Sequence, residues 1–390
     1  MKTALTDRLG LIMPLIQAPM AGTSTPELAA AVSNAGALGS ISIGSVDATE
    51  GRKQLQTLKR LTTRPFNVNV FCHTPSPPDP SRDRIWIESL RAIFAGFDAV
   101  PPETLSDIYE SFLTDDAKLT VLLDEKPAVV SFHFGLPQTD RIAALKAAGC
   151  VLIASATTPE EGRLAQAAGI DMVVAQGVEA GGHRGVFDPA DDPRFATLPL
   201  TRLLVRDLDI PVIAAGGIMD GAGITAAMAL GAAGAQLGTA FVSCPESAAN
   251  AAYRAALASP HAGRTRVSPV ISGRPARGIE NAFMRRANEA LVTAYPYAYE
   301  LGKALNAAAS AQGDDDGYAP QWAGQAAPMG RALPAAELLR TLNLEMRDAI
   351  AALGALNAYS RPASASRSII QTRAGGSGLF RAWKTNCSRK

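Results

Sequence analysis

The chain has 390 residues, 47% of them hydrophobic and 19% charged, with a formal net charge of +1. That length accommodates one large domain plus an accessory region around a substantial core. The near-neutral balance carries no electrostatic footprint for nucleic acid or an anionic membrane.

No apolar run of about 18 residues is present to cross a bilayer, and MKTALTDRLG at the start lacks the apolar stretch of a secretory signal. The four cysteines, Cys72, Cys150, Cys244 and Cys387, are scattered without CxxC or Cys/His spacing, so neither a metal site nor a disulfide framework is implied. The expectation is a soluble, reduced, cytoplasmic protein.

In chain order, short apolar runs bounded by turn residues predict strands at Leu15–Ala18, Leu38–Ile43, Phe66–Phe71, Ala128–Phe132, Val151–Ala154, Met172–Ala175, Val212–Ala215 and Ala235–Leu237. Helical stretches alternate with them, several closing in Ala-Gly before the next strand, as at Ala35-Gly36, Ala148-Gly149, Ala168-Gly169 and Ala233-Gly234. Runs such as Val151-Leu152-Ile153 are apolar on both faces, which suits buried parallel strands. Strand–helix alternation repeated eight times predicts an α/β fold, a (β/α)8 TIM barrel over residues 1–244. An open doubly wound sheet is the alternative.

Two connections are long. Residues 72–127 insert PSPPDPSRDR and helical sequence carrying Trp86 and Tyr109; residues 177–211 carry a glycine-rich run and a polar turn. From Pro245 the βα rhythm stops, and residues 245–356 read as a mainly helical substrate-side or lid region. Residues 357–390 hold seven Lys/Arg and no acidic residue, a basic stretch that reads as a poorly ordered tail or an interaction arm.

Polar residues gather at the C-terminal strand ends, the rim where barrel enzymes keep their sites. They include Ala18-Pro19-Met20-Ala21, Asn69, His133 and Gln176. Three of the four histidines, His73, His133 and His183, fall on this rim, while His261 does not. His183 ends the run AQGVEAGGHRG (175–185), where Gly181 and Gly182 let something approach the backbone closely. After strands 7 and 8, AAGGIMDG (214–221) and QLGTA (236–240) offer Gly216, Gly217, Gly238 and Thr239 as a phosphate cup. Neither a P-loop nor a GxGxxG follows a strand, so the cup suits either FMN or a phosphorylated substrate. Tyr295, Tyr299 and Lys303 are spaced i, i+4, i+8 and are expected along one face of a helix.

These segments together carry a resemblance. PLIQAPMAG (14–22), FNVNVFCHTP (66–75), SFHFGLP (131–137), AQGVEAGGHRG (175–185), PVIAAGGIMDG (211–221), GAQLGTAF (234–241) and YPYAYELGKALNAAA (295–309) resemble the class I nitronate monooxygenases, formerly called 2-nitropropane dioxygenases. The match runs from about residue 5 to about residue 355, and the basic stretch lies outside the family pattern.

The resemblance implies an FMN-dependent barrel that oxidises alkyl nitronates, such as propionate 3-nitronate, with dioxygen to a carbonyl compound and nitrite through a flavin semiquinone. It implies no metal. His183 would be the catalytic residue, a base tuned near neutrality for a nitroalkane or an orienting group for a nitronate. His133, Tyr109, Tyr295, Tyr299 and Lys303 would contact substrate. Ala18, Met20, Ala21, Asn69, Gln176, Gly181, Gly182, Gly216, Gly217, Gln236, Leu237, Gly238 and Thr239 would hold FMN. Competing readings are an NADH-dependent flavin reductase of the same superfamily (enoyl-acyl-carrier-protein or quinone reductase) and a non-redox phosphate-binding barrel. Arg184 has no assigned role, and monomer and homodimer both stay open.

Overall fold

The computed structural model describes residues 1–315 and 317–359; the basic stretch from 360 to 390 lies outside the described residues. Eleven strands follow in chain order: β1 Leu15–Gln17, β2 Gly39–Ser42, β3 Phe66–Phe71, β4 Val129–His133, β5 Val151–Ala156, β6 Met172–Gln176, β7 Gly182–His183, β8 Val212–Ala215, β9 Gly234–Leu237, β10 Thr265–Ser268 and β11 Ala276–Ile279. Eight of them form one parallel sheet in the order β1-β9-β8-β6-β5-β4-β3-β2. A parallel bridge between Ile16 and Leu38 joins the two ends, with Leu38 N–H donating to the Leu15 carbonyl and Gln17 N–H to the Leu38 carbonyl, both at 2.9 Å. The sheet is therefore a ring rather than an open doubly wound layer, and the eight strands fall within two residues of the expected ones.

Closure follows from the sequence. The barrel strands are buried on both faces, so each must be covered inside and out. Inside, Ile16, Leu38, Val129, Ile153, Val174 and Ile213 meet in one cluster. Leu5 and Leu9, from the short helix Ala4–Leu9, complete that cluster. Outside, the helices between strands pack their apolar faces on the ring, as Leu55, Leu58, Leu145, Leu200 and Leu204 do.

The segments beyond the plain barrel build a second cluster. The insertion supplies the helix Pro80–Ala95, whose Trp86, Leu90 and Phe94 pack with Phe283, Leu301 and Leu305. The last two belong to the helix Tyr297–Ala311. Residues 1–350 form one compact unit. Among the described residues no helix is long and apolar enough to cross a membrane.

Two features were not foreseen. The region after 244 contributes β10 and β11, which join β7 in a three-stranded antiparallel sheet with His183 opposite Ala276 and Gly182 opposite Arg277. The helix expected to carry all of Tyr295, Tyr299 and Lys303 begins only at Tyr297. Pro296 disfavours helical backbone in the residue before it, so Tyr295 stands in the approach to the helix, while Tyr299 and Lys303 share its face.

Candidate active site

A cavity of about 510 Å³ opens at the C-terminal ends of the barrel strands. Of the residues expected at the site, all but Leu237 line it. Leu237 is instead 1% exposed and packed in the core beside β1, where its carbonyl accepts from Ala18 N–H at 2.8 Å. An alternating strand puts Gln236 toward the ring interior and Leu237 outward, which the sequence pattern QLG does not reveal by itself.

The glycine-rich run between β6 and β8 is pinned at several points. Glu179 accepts from Thr197 N–H at 2.9 Å and from its hydroxyl at 2.8 Å, at the start of the helix Thr197–Asp207. Arg184 is fully buried. It donates to the carbonyls of Gln176 at 2.9 Å and Gly177 at 3.0 Å, and pairs with Asp192 at 2.8 Å. Arg184, unassigned from sequence, is thus the brace that ties the end of β6 to the polar turn after it.

His183 sits at the end of this braced run. Its carbonyl accepts from Gln176 Nε2 at 3.0 Å and from His133 Nε2 at 3.3 Å. With a carbonyl as partner, His133 Nε2 must carry the proton, so its Nδ1 accepts from the Ser155 hydroxyl at 2.9 Å. His183 Nε2 lies 2.8 Å from Ser272 Oγ. Ser272 donates to the Arg274 carbonyl at 3.2 Å, which leaves it to accept from His183 Nε2–H and leaves the lone pair on His183 Nδ1.

Burial, reinforced by His133 and Arg274, pushes His183 down to about 3. Burial likewise takes His133 to about 4, only partly offset by its bond to the His183 carbonyl. The imidazole of His183 is therefore neutral and weakly basic, not tuned near neutrality as expected from the rim position alone.

Aromatic rings surround this histidine. Their centroids lie 5.1 Å away for Trp322, 5.6 Å for Phe134, 6.0 Å for Tyr295 and 6.1 Å for Tyr299. Tyr109 closes the wall, with burial raising its phenol to about 12. Tyr295 is also raised by burial first, so all the walls stay neutral. Lys303 Nζ lies 4.7 Å from the Tyr109 ring centre and 5.5 Å from that of Tyr299, at the exposed end of the wall. Among the described residues no Asp or Glu lines the cavity.

The opposite kind of surface comes from the loops after β8 and β9. The N–H groups of Gly216, Gly217, Gly238 and Thr239 line the cavity and donate to no acceptor among the described residues. Gly216 has φ +121 and a Cβ there would meet Thr197 Oγ1 at 2.6 Å, so only glycine fits this turn. Amides sit on the same lining. Gln236 has no side-chain partner among the described residues, Gln176 is bonded to the His183 loop, and the Asn69 amide already donates to Ser131 at 3.0 Å.

Sequence reasoning missed Ser272, Phe134, Arg274 and Trp322. Phe134 stands beside His133 on the rim after β4, whereas Ser272, Arg274 and Trp322 reach the site by tertiary contact from the region after 244. Gly273 is the one available signal: its φ is +92, and a Cβ would meet the Tyr295 N atom at 2.5 Å, marking a close crossing.

A nitronate monooxygenase family model matches residues 2–345. Nitronate monooxygenases of Paraburkholderia phytofirmans and Pseudomonas aeruginosa are each 55% identical, over 90% and 88% of this chain and 96% and 100% of theirs. The chain belongs to the nitronate monooxygenase family. It is accordingly an oxidoreductase. Among solved structures, a nitroalkane oxidase from Streptomyces ansochromogenes superposes with a TM-score of 0.82 at 42% identity, covering 90% of this chain and 100% of the other. FabK from Thermotoga maritima shares the fold at a TM-score of 0.71 and 29% identity, covering 91% and 99%. For a member of this family, the cavity places His183 and the aromatic wall in one space with the open N–H groups of the two glycine turns.

Proposed function

We propose that this chain oxidises alkyl nitronates with dioxygen to a carbonyl compound and nitrite, using bound FMN. The observation that carries the reading is a single cavity, free of carboxylates among the described residues, in which an N–H cup and a neutral His183 share one lining. Four unpaired N–H groups at Gly216, Gly217, Gly238 and Thr239 fit a phosphate monoester. The amide of Gln236, free of partners among the described residues, fits a heteroaromatic edge or a polyol chain. FMN, when bound, supplies the acceptor for the electrons leaving the nitronate.

The protein's own residues position the substrate. Tyr109, Tyr295, Tyr299 and Trp322 form walls that admit a small, partly apolar molecule and exclude water. His183, held through Nε2 by Ser272, keeps a fixed orientation in the cavity lining.

Its low basicity favours one of two substrates. A neutral nitroalkane must first lose an α-proton, for which a weakly basic imidazole is a poor acceptor. A nitronate has already lost that proton and asks only for orientation and charge compensation. The nitroalkane oxidase of Streptomyces ansochromogenes supports the nitro-compound class. Cys72, Cys150 and Cys244 are buried free thiols, which supports a reducing, cytoplasmic setting.

The test is the spectrum and cofactor content of the purified protein, followed by nitrite production from propionate 3-nitronate. A flavin absorption band, FMN in the heat-released fraction and nitrite formation are expected. The likeness to FabK favours one second reading, a nicotinamide-oxidising flavin reductase. Rapid NADH oxidation without a nitronate would select it, and a protein that stays colourless after incubation with FMN would select a non-redox barrel.

A further inference from the structure

Arg274 is a buried cation that, among the described residues, makes no direct ion pair; Asp188 and Glu161 act on it only from beyond that distance. It is 5% exposed, and its Nε has no hydrogen-bond partner. One guanidinium NH2 donates to the Val186 carbonyl, a neutral acceptor. The neighbouring buried Arg184 pairs with Asp192 at 2.8 Å, but among the described residues Arg274 has no such partner. No carboxylate touches the guanidinium, so part of its charge is left to act on its surroundings.

That charge lies one aromatic ring away from the cavity. The guanidinium carbon of Arg274 lies 4.5 Å from the centroid of the Phe134 ring. Phe134 lines the cavity and stands edge-on to His183 at 5.6 Å. The Phe134 backbone has φ +73, a left-handed conformation that a bulky side chain adopts only when its surroundings force it. The strain holds an aromatic ring between a buried cation and the substrate space. A cation on a ring face draws the π-density toward itself, so the side turned to the cavity repels an anion less.

The cavity has a second cation, Lys303, but that residue is exposed, and water and salt screen its charge. The field of a buried guanidinium is screened far less. Among the described residues no Asp or Glu in the cavity lining opposes it; Asp188 and Glu161 act on the guanidinium from outside the lining.

We propose that Arg274, acting across the Phe134 ring and touching no substrate, is the specificity residue that makes this pocket prefer anionic nitronates to neutral nitroalkanes. The inference rests on the nitronate reading above. It differs from a structural role because it concerns the ratio of two substrates that share one carbon skeleton and one pocket. Main-chain atoms, not the guanidinium, hold Ser272 at its distance from His183, so side-chain replacement leaves that contact in place.

The experiment compares kcat/KM for propyl-1-nitronate and 1-nitropropane in the FMN-loaded protein and in Arg274→Met and Arg274→Lys. The ratio is expected to fall about tenfold in Arg274→Met, the effect of one charge interaction, and to recover in Arg274→Lys. A ratio unchanged in Arg274→Met, with both substrates declining together, overturns the proposal. If Arg274→Met does not fold, Arg274→Gln keeps a donor for the Val186 carbonyl, removes the charge, and is judged by the same two outcomes. A wild-type protein inert toward both compounds contradicts the nitronate reading and the inference with it. An active wild type whose preference survives loss of the charge contradicts the inference alone.

Discussion

Arg184 and Asp192 form a two-point buried ion pair, Nε to Oδ2 at 2.8 Å and a terminal nitrogen to Oδ1 at 3.0 Å. The same guanidinium holds the carbonyls of Gln176 and Gly177, so one side chain fixes both ends of the run that presents His183. Removing either partner strands a buried charge, at a cost of about 3–5 kcal/mol. Arg184→Met is expected to lose that much stability in urea unfolding. A loss below about 1 kcal/mol, the size of an exposed pair, would show that the pair is not a brace.

Three histidines near the site are held neutral. Burial is the largest cause for each, taking His183 to about 3, and His133 and His73 to about 4. Their folded values lie below the unfolded value of about 6.5. Above that pH neither state binds the proton, and stability does not depend on these groups. Below it the unfolded chain takes up protons that the folded one refuses, so stability falls by up to about 1.4 kcal/mol per pH unit for each histidine down to about pH 4. Melting temperature is expected to drop steadily from pH 6.5 to 4.5, and His133→Asn should make the slope shallower. A melting temperature flat across that range would contradict the burial.

The contact between Ser272 and His183 Nε2 sets which ring nitrogen keeps the lone pair. Ser272→Ala leaves Nε2 without its partner and the ring free to turn. The expected result is a fall in kcat/KM of about tenfold, from loss of one orienting hydrogen bond to a reacting group, with unchanged cofactor content. Equal losses of activity and bound flavin would mean that Ser272 supports the fold rather than the ring.

Gly216 tests the cup. Its φ of +121 and the 2.6 Å approach of Thr197 Oγ1 leave no room for a methyl group. Gly216→Ala is expected to emerge with less than half of the wild-type flavin content, because the turn that aims the N–H groups must shift. Full flavin content would place the phosphate elsewhere.

The barrel was legible because its cause is local. Eight two-sided apolar strands, punctuated by Ala-Gly helix ends, leave few other ways to bury both faces. The rim residues followed from strand direction, which puts Asn69, His133 and Gln176 at one end by necessity. What stayed hidden depends on long-range pairing. β7 is two residues long and exists because β11, almost a hundred positions later, lies beside it. Ser272 and Arg274 lie in a segment without a rim motif, Trp322 lies in the segment QWAGQAA (321–327), and Gly273 and Gly181 mark close crossings beside them. Leu237, expected from the resemblance at the cofactor, lies outside the cavity lining because alternation along β9 turns its side chain into the core. The basicity of His183 depends on Trp322, Phe134 and two tyrosines, which stand around its ring and come from segments distant in sequence.

The most direct test of the central claim is nitrite release and oxygen uptake by the FMN-loaded protein given an alkyl nitronate, with His183→Asn alongside. The account predicts nitrite from the wild type in air, little without oxygen, and a large loss of turnover in His183→Asn with its flavin retained. A flavin-loaded wild type that releases no nitrite in air, or a His183→Asn protein as active as the wild type, would contradict it.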